Sequence, residues 1–85
     1  MRFFLHIEDG AARIEDKEGS DLPNLASARE EALASARQLW AAAILESRDL
    51  STQRFVLADS RGSILAIVPF IDALPAGLRC RLIND

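Results

Sequence analysis

The spacing of apolar positions changes period twice along this chain. From Arg2 to Glu8 they alternate, with Phe3, Leu5 and Ile7 on one side and Phe4, His6 and Glu8 on the other. A period of two predicts a half-buried strand. Asp9-Gly10 is a turn pair, and Ala12 to Asp16, with Ile14 as its apolar anchor, predicts a short returning strand. Lys17-Glu18-Gly19-Ser20 predicts a second turn. Asp21-Leu22-Pro23-Asn24 then introduces a helix, because Pro suits the first turn of a helix and Asn caps it. From Leu25 to Ser47 the period becomes that of a helix. Leu25, Ala28, Ala32, Leu33, Ala36, Leu39, Trp40, Ala43 and Ile44 fall within an arc of roughly 160°, while Glu30, Glu31 and Gln38 lie outside it. Arg29 falls inside the arc near its start. Its stem can cover the core edge with the guanidinium in water, or it can pair with an acid of the first hairpin.

After Arg48-Asp49-Leu50-Ser51 the alternation returns. Arg54 to Ala58 and Ser63 to Val68 predict two strands, and Asp59-Ser60-Arg61-Gly62 has the form of a type I turn with Gly at the left-handed position. Pairing Asp59 with Ser63 puts Phe55, Leu57, Leu65 and Ile67 toward the helix. Arg54, Val56, Ala58, Ile64, Ala66 and Val68 then share the outer face with Phe4 and His6. Pro69 suits a strand end or edge. Strand, strand, helix, strand, strand, with short connections, predicts an α+β fold: a four-stranded antiparallel sheet with one long helix on one face. Residues 1–74 are expected to form a single domain, and 75–85 a C-terminal tail.

Eighty-five residues leave no room for a second core. Fourteen are Ala, and Leu, Ile, Val and Phe together number 25, enough for a thin two-layer core but not a deep pocket. A net charge of −3, with one Lys beside nine Arg, speaks against general nucleic-acid binding. Cys80 is the single cysteine, so no disulfide forms within the chain, as suits a reducing cytoplasm. Phe3-Phe4-Leu5 is cut off by His6 and Glu8, too short for a signal peptide, and no run approaches the roughly 18–20 apolar residues of a membrane span. A cytoplasmic protein without membrane contact is expected.

Candidate chemistry is sparse. His6 has no second histidine to share a metal site with, and Cys80 and the carboxylates lie in distant segments without ligand spacing. Glu8-Asp9, Glu15-Asp16 and Glu18 flank turns and carry no ion-binding loop pattern. No nucleophile elbow and no phosphate loop are present. Arg79 and Arg81 are too few for a phosphate-tracking patch. No catalytic residue, metal or cofactor is therefore assigned.

Several segments, in order, resemble a family of short bacterial proteins described only as a domain of unknown function. They are Phe3-Phe4 before Glu8-Asp9-Gly10; Asp16 to Gly19 followed by Asp21-Leu22-Pro23-Asn24; Ala28-Arg29-Glu30-Glu31-Ala32; Arg48-Asp49-Leu50; Arg54 to Asp59; and Val68-Pro69-Phe70. The resemblance covers Met1 to Leu74. It implies a small cytoplasmic domain with no established activity. Asn24 stands where the family pattern has Asp, and either residue caps a helix. Asp9-Gly10, Asp21-Leu22-Pro23 and the helix opening at Glu30-Glu31-Ala32 are also similar to HicB-type antitoxins, whose sheet-and-helix domain binds a toxin. The chain departs from that pattern in having two strands after the helix rather than one, and in showing no DNA-binding segment after them.

The outer sheet face carries the functional expectation. A sheet face in water is normally polar, and one helix covers only one face. Phe4, His6, Val56, Ala58, Ile64, Ala66 and Val68 are therefore expected to meet another chain, most simply a second copy. The tail, folding back through Leu78, Leu82 and Ile83, is the other available cover. The expected function is a non-enzymatic, self-associating interaction module, a homodimer with room for a further protein partner. The alternative is a regulatory partner-binding protein of the HicB-like antitoxin type. No nucleic acid is expected as a ligand.

Overall fold

The computed structural model describes residues 1–79. Strand β1 (Arg2–Asp9) pairs along both edges. Strands β2 (Ala12–Ile14) and β3 (Ser20–Asp21) share one edge, β2 lying along Ile7 to Asp9 and β3 along Arg2 and Phe3. Strand β4 (Gln53–Ala58) takes the other edge, with Phe4 opposite Ala58 and Asp9 opposite Gln53. Strand β5 (Ile64–Pro69) pairs with β4, so the order is β2-β1-β4-β5 and every pairing is antiparallel. The α+β class and the order of elements agree with the sequence.

The first hairpin differs in detail. β2 stops at Ile14 instead of Asp16, and β3 forms where a turn was predicted to end. Residues 15–19 swing out from β1 between the two short strands. Across that gap the Asp16 carboxylate stands in for a backbone rung, its Oδ2 accepting the Leu5 N–H at 3.1 Å. The chain returns to β1 through Gly19, whose φ of +72° favours glycine. A Cβ there would also lie 2.9 Å from Arg2 Cγ and from Phe4 Cε2.

Helix α1 (Leu25–Leu45) starts on Asn24, whose Oδ1 accepts the Ser27 N–H at 2.9 Å. It ends at Leu45, two residues before the predicted end at Ser47. Ser47 sits in the left-handed region at φ 57°; its N–H bonds Ile44 O, and the Arg48 N–H bonds Ala43 O at 2.8 Å. Those two bonds form a Schellman motif with Ser in the position glycine usually holds. The buried stripe is Ala28, Ala32, Ala36, Trp40 and Ala43. Four alanines let the helix backbone approach the sheet closely. The stripe is narrower than the predicted arc: Leu39 and Ile44 are exposed, as is Arg29. A 3-10 turn, Phe70–Ala73, follows β5 directly and packs against α1. Phe70 is fully buried, with its ring centroid 4.9 Å from that of Phe55.

The second hairpin turns where predicted. Gly62 has φ 84°, and Asp59 N–H bonds Ser63 O at 3.0 Å. One step later the register slips. Ala58 lies opposite Ile64, but Leu57 lies opposite Ala66, so Leu65 is an extra residue in β5. A bulge of this kind reverses which side chains point to which face beyond it. Phe55 is thus opposite Val68, and Val56 opposite Ile67. The assignment of Ala66 and Val68 to the outer face is corrected. Val68 is buried in the core with Phe55 and Leu57, and Ala66 packs against the same cluster. Ile67, predicted to face the helix, points outward. Leu82 and Ile83 of the expected tail contact lie outside the described residues, as do Cys80 and Arg81.

Candidate interaction face

Cross-strand partners share a face of a sheet, so the outer face can be read in rows from the register. One row is Arg13, Glu8, Arg54 and Pro69; the next is His6, Val56 and Ile67; the third is Phe4, Ala58 and Ile64. Five of the seven positions expected there, Phe4, His6, Val56, Ala58 and Ile64, are brought together. Ala66 and Val68 are not, and Ile67 joins instead. No signal in the sequence marks Leu65 as the extra residue, because Ile64 to Val68 is apolar at every position and reads equally well in either phase.

The apolar rows have a dry floor and an exposed rim. Val56 and Ala58 are buried, flanked in register by His6, Ile67, Phe4 and Ile64. Ile64 and Ile67, in contrast, keep 62% and 44% of their surface exposed. The polar row is internally matched. Glu8 meets Arg54 at 3.0 Å and Arg13 at 3.5 Å, one carboxylate between two guanidinium groups from the neighbouring strands. Beside the apolar rows the charge is mostly negative. Glu15, Asp16 and Asp59 line an open depression of about 300 Å³ together with Phe4, His6 and Arg13.

His6 and Asp16 form the most connected polar unit of this face. The Asp16 backbone N–H donates to His6 Nδ1 at 3.1 Å. The Asp16 carboxylate accepts from Leu5 N–H through Oδ2 and from Gly19 N–H through Oδ1, each at 3.1 Å. Partial burial works against ionisation of this carboxyl. The N–H groups of Leu5, Gly19 and Glu18 and the nearby imidazole outweigh it and hold the group below the usual carboxylate range. The His6 ring stacks beside Phe4, with centroids 6.3 Å apart and planes 13° from parallel. With Nδ1 occupied by a main-chain donor, the imidazole serves here to fix the 15–19 loop. Sequence reasoning placed Asp16 in a solvated acidic cluster and missed this role. An Asp three residues before a glycine was the available sign, since such a carboxylate caps the N–H groups of the turn that follows.

Among the described residues, no cluster of three His, Cys, Asp or Glu side chains is placed to hold a metal ion. No described helix is long and apolar enough to cross a membrane.

The model of one protein family, a domain of unknown function (DUF6894), matches residues 2–71. No curated protein and no solved structure matches the chain.

Proposed function

This chain belongs to the family described as a domain of unknown function (DUF6894), and we propose that it is a non-enzymatic module that pairs with a second copy of itself through the outer face of its sheet. The observation that carries this reading is the exposure of Ile64 and Ile67 beside Phe4, on a face whose centre is already dry. Large aliphatic side chains grouped on a sheet face mark a contact surface. A second copy is the simplest cover, because the same apolar patch on each chain can meet itself across a two-fold axis. The charged rim is matched within the chain: Glu8 lies between Arg13 and Arg54, and Arg13 also lines the depression of Glu15 and Asp59. The outer edge of β5, unpaired among the described residues, is the less suitable route, because the bulge at Leu65 and Pro69 at the strand end both work against strand addition. One cysteine in 85 residues also suits work in the cytoplasm.

Light scattering on the wild type and on Ile67→Glu tests the reading. A dimer is expected for the wild type, and a folded monomer for the variant. A wild type that is monomeric at high micromolar concentration overturns it.

A further inference from the structure

We infer that Asp9-Gly10 is a modification site, independent of the contact proposed above: the Gly10 nitrogen attacks the Asp9 side chain, the aspartate becomes an isoaspartate, and the Thr52 hydroxyl restrains the change. Asp9-Gly10 is the only Asp-Gly or Asn-Gly pair in the chain. It begins the β1–β2 turn, which spans two residues because Asp9 lies opposite Ala12. Gly10 has φ 60° and Ala11 does not share a positive φ, as in a type II′ turn with glycine at its first central position. Asp9 and Gly10 are both exposed, and a Cβ on Gly10 would meet nothing within 4 Å. Among the described residues the Gly10 N–H has no hydrogen-bond partner. A main-chain nitrogen open to solvent therefore follows directly on a carboxyl group, and glycine adds no side chain to block the approach. The other aspartates are worse placed. Asp16 has both oxygens on N–H groups, Asp59 Oδ1 accepts from Arg61 and Ser63, and Asp21 and Asp49 each precede a leucine.

The step needs water and no other reactant. The Gly10 nitrogen bonds to Asp9 Cγ, and one carboxyl oxygen leaves as water with the amide proton and a proton from solvent. The product is a five-membered succinimide. Water then opens the ring at either carbonyl. Breaking the bond from nitrogen to Cγ restores aspartate. Breaking the bond from nitrogen to the Asp9 main-chain carbonyl carbon leaves Gly10 joined through Cγ and frees that carbonyl as a carboxylate. Nothing is oxidised or reduced, and the mass is unchanged. The new main chain is longer by one methylene at the rung where β1 meets both neighbours, and the new carboxylate sits one carbon closer to the backbone. That exposed carboxylate is of the class a carboxyl methyltransferase with a sulfonium methyl donor takes as substrate.

Two features of the fold oppose the attack. Asp9 is paired on both sides, with Ala12 of β2 and Gln53 of β4, which fixes its backbone. Its Oδ1 also accepts the Thr52 hydroxyl at 2.9 Å, and this draws the carboxylate toward the β4 side, away from the turn. The pairing belongs to the whole sheet. The Thr52 bond is a single exposed contact that one substitution removes.

Ageing the full chain at neutral pH, beside a synthetic Phe3–Arg13 peptide, tests this. Trypsin releases the same segment from the protein, and Asp9 is its only aspartate. Fragmentation mass spectrometry separates aspartate from isoaspartate at that position. Isoaspartate is expected in the folded chain, at a slower rate than in the peptide. Thr52→Val should raise the rate about 2- to 12-fold, the factor one net hydrogen bond is worth. Thr52→Ser keeps the hydroxyl and should age like the wild type. Circular dichroism confirms that each protein stays folded. Absence of isoaspartate from both the wild type and Thr52→Val when the peptide is half converted overturns the site. Equal rates in those two proteins overturn the role of Thr52.

Discussion

Trp40 donates its indole N–H to the carbonyl oxygen of Phe70 at 2.8 Å, and this bond ties the middle of α1 to the 3-10 turn after the last strand. Both residues are buried. Helix, sheet and turn meet here, so the sheet's inner face is closed by a specific polar contact as well as by packing. Trp40→Phe removes the donor and leaves the Phe70 carbonyl dry. A loss of about 1–3 kcal/mol is expected. Trp40→Ala adds a cavity, with an expected loss of about 3–5 kcal/mol, enough to unfold most of a domain this small. Urea denaturation of both variants checks the order. A Trp40→Ala protein as stable as the wild type would show that this side chain lies outside the core.

Asp16 bridges the gap between β2 and β3 along β1, and its loss should be visible in the pH dependence of stability. Its folded-state pKa is depressed. A depressed carboxyl stabilises fully above its unfolded value of about 3.9, and that contribution disappears as pH falls through the folded value. At pH 7, Asp16→Ala leaves the Leu5 and Gly19 N–H groups without their acceptor, at an expected cost of about 1–3 kcal/mol. At pH 3 the difference between the two proteins should be smaller than at pH 7. Thermal melts at both pH values decide it, and a gap that stays constant with pH would assign the loss to packing instead.

The sequence and the structure agree where local chemistry is explicit. Asn24 caps the helix, and Asp59 to Gly62 turns the chain, because each signal is confined to a few residues with one physical solution. They diverge where a side chain or an extra residue does the work of regular backbone. Asp16 replaces a rung of the ladder, a long-range bond that no local pattern announces. Leu65 shifts β5 by one residue within an unbroken apolar run, so the alternation that located the strand could not assign its faces. The helix end was misplaced because Ser47, not glycine, takes the left-handed position. The candidate face was legible in β1 and β4, which have no bulge, and half-legible in β5.

Ser47 offers a stabilising change. Its φ of 57° costs an L-residue about 1–2 kcal/mol, and glycine avoids that cost while adding about 0.5–1 kcal/mol of entropy in the unfolded chain. Ser47→Gly should therefore gain about 0.5–1 kcal/mol, raising Tm by roughly 2–8 °C. Differential scanning calorimetry measures it directly. A lower Tm would mean that the Ser47 side chain contributes something the backbone geometry does not show.

The bulge at Leu65 makes a sharp contrast between two adjacent residues. Ala66 lies opposite Leu57 and packs against the core, whereas Ile67 lies opposite Val56 and keeps 44% of its surface exposed. A carboxylate at the first position must be buried without a partner, and at the second it reaches water. Breaking the core this way belongs among the largest single-site losses, beyond about 3 kcal/mol. Ala66→Glu is therefore expected to unfold the chain, while Ile67→Glu should keep its fold, with a change within about 1 kcal/mol in the isolated monomer. Regular pairing from the turn, without the bulge, demands the reverse order, since Ile67 would then face α1. Circular dichroism with urea titration on the two variants, at concentrations low enough to exclude association, separates the two registers. A folded Ala66→Glu beside an unfolded Ile67→Glu would remove the bulge, and with it the exposed position of Ile67 on which the proposed contact depends.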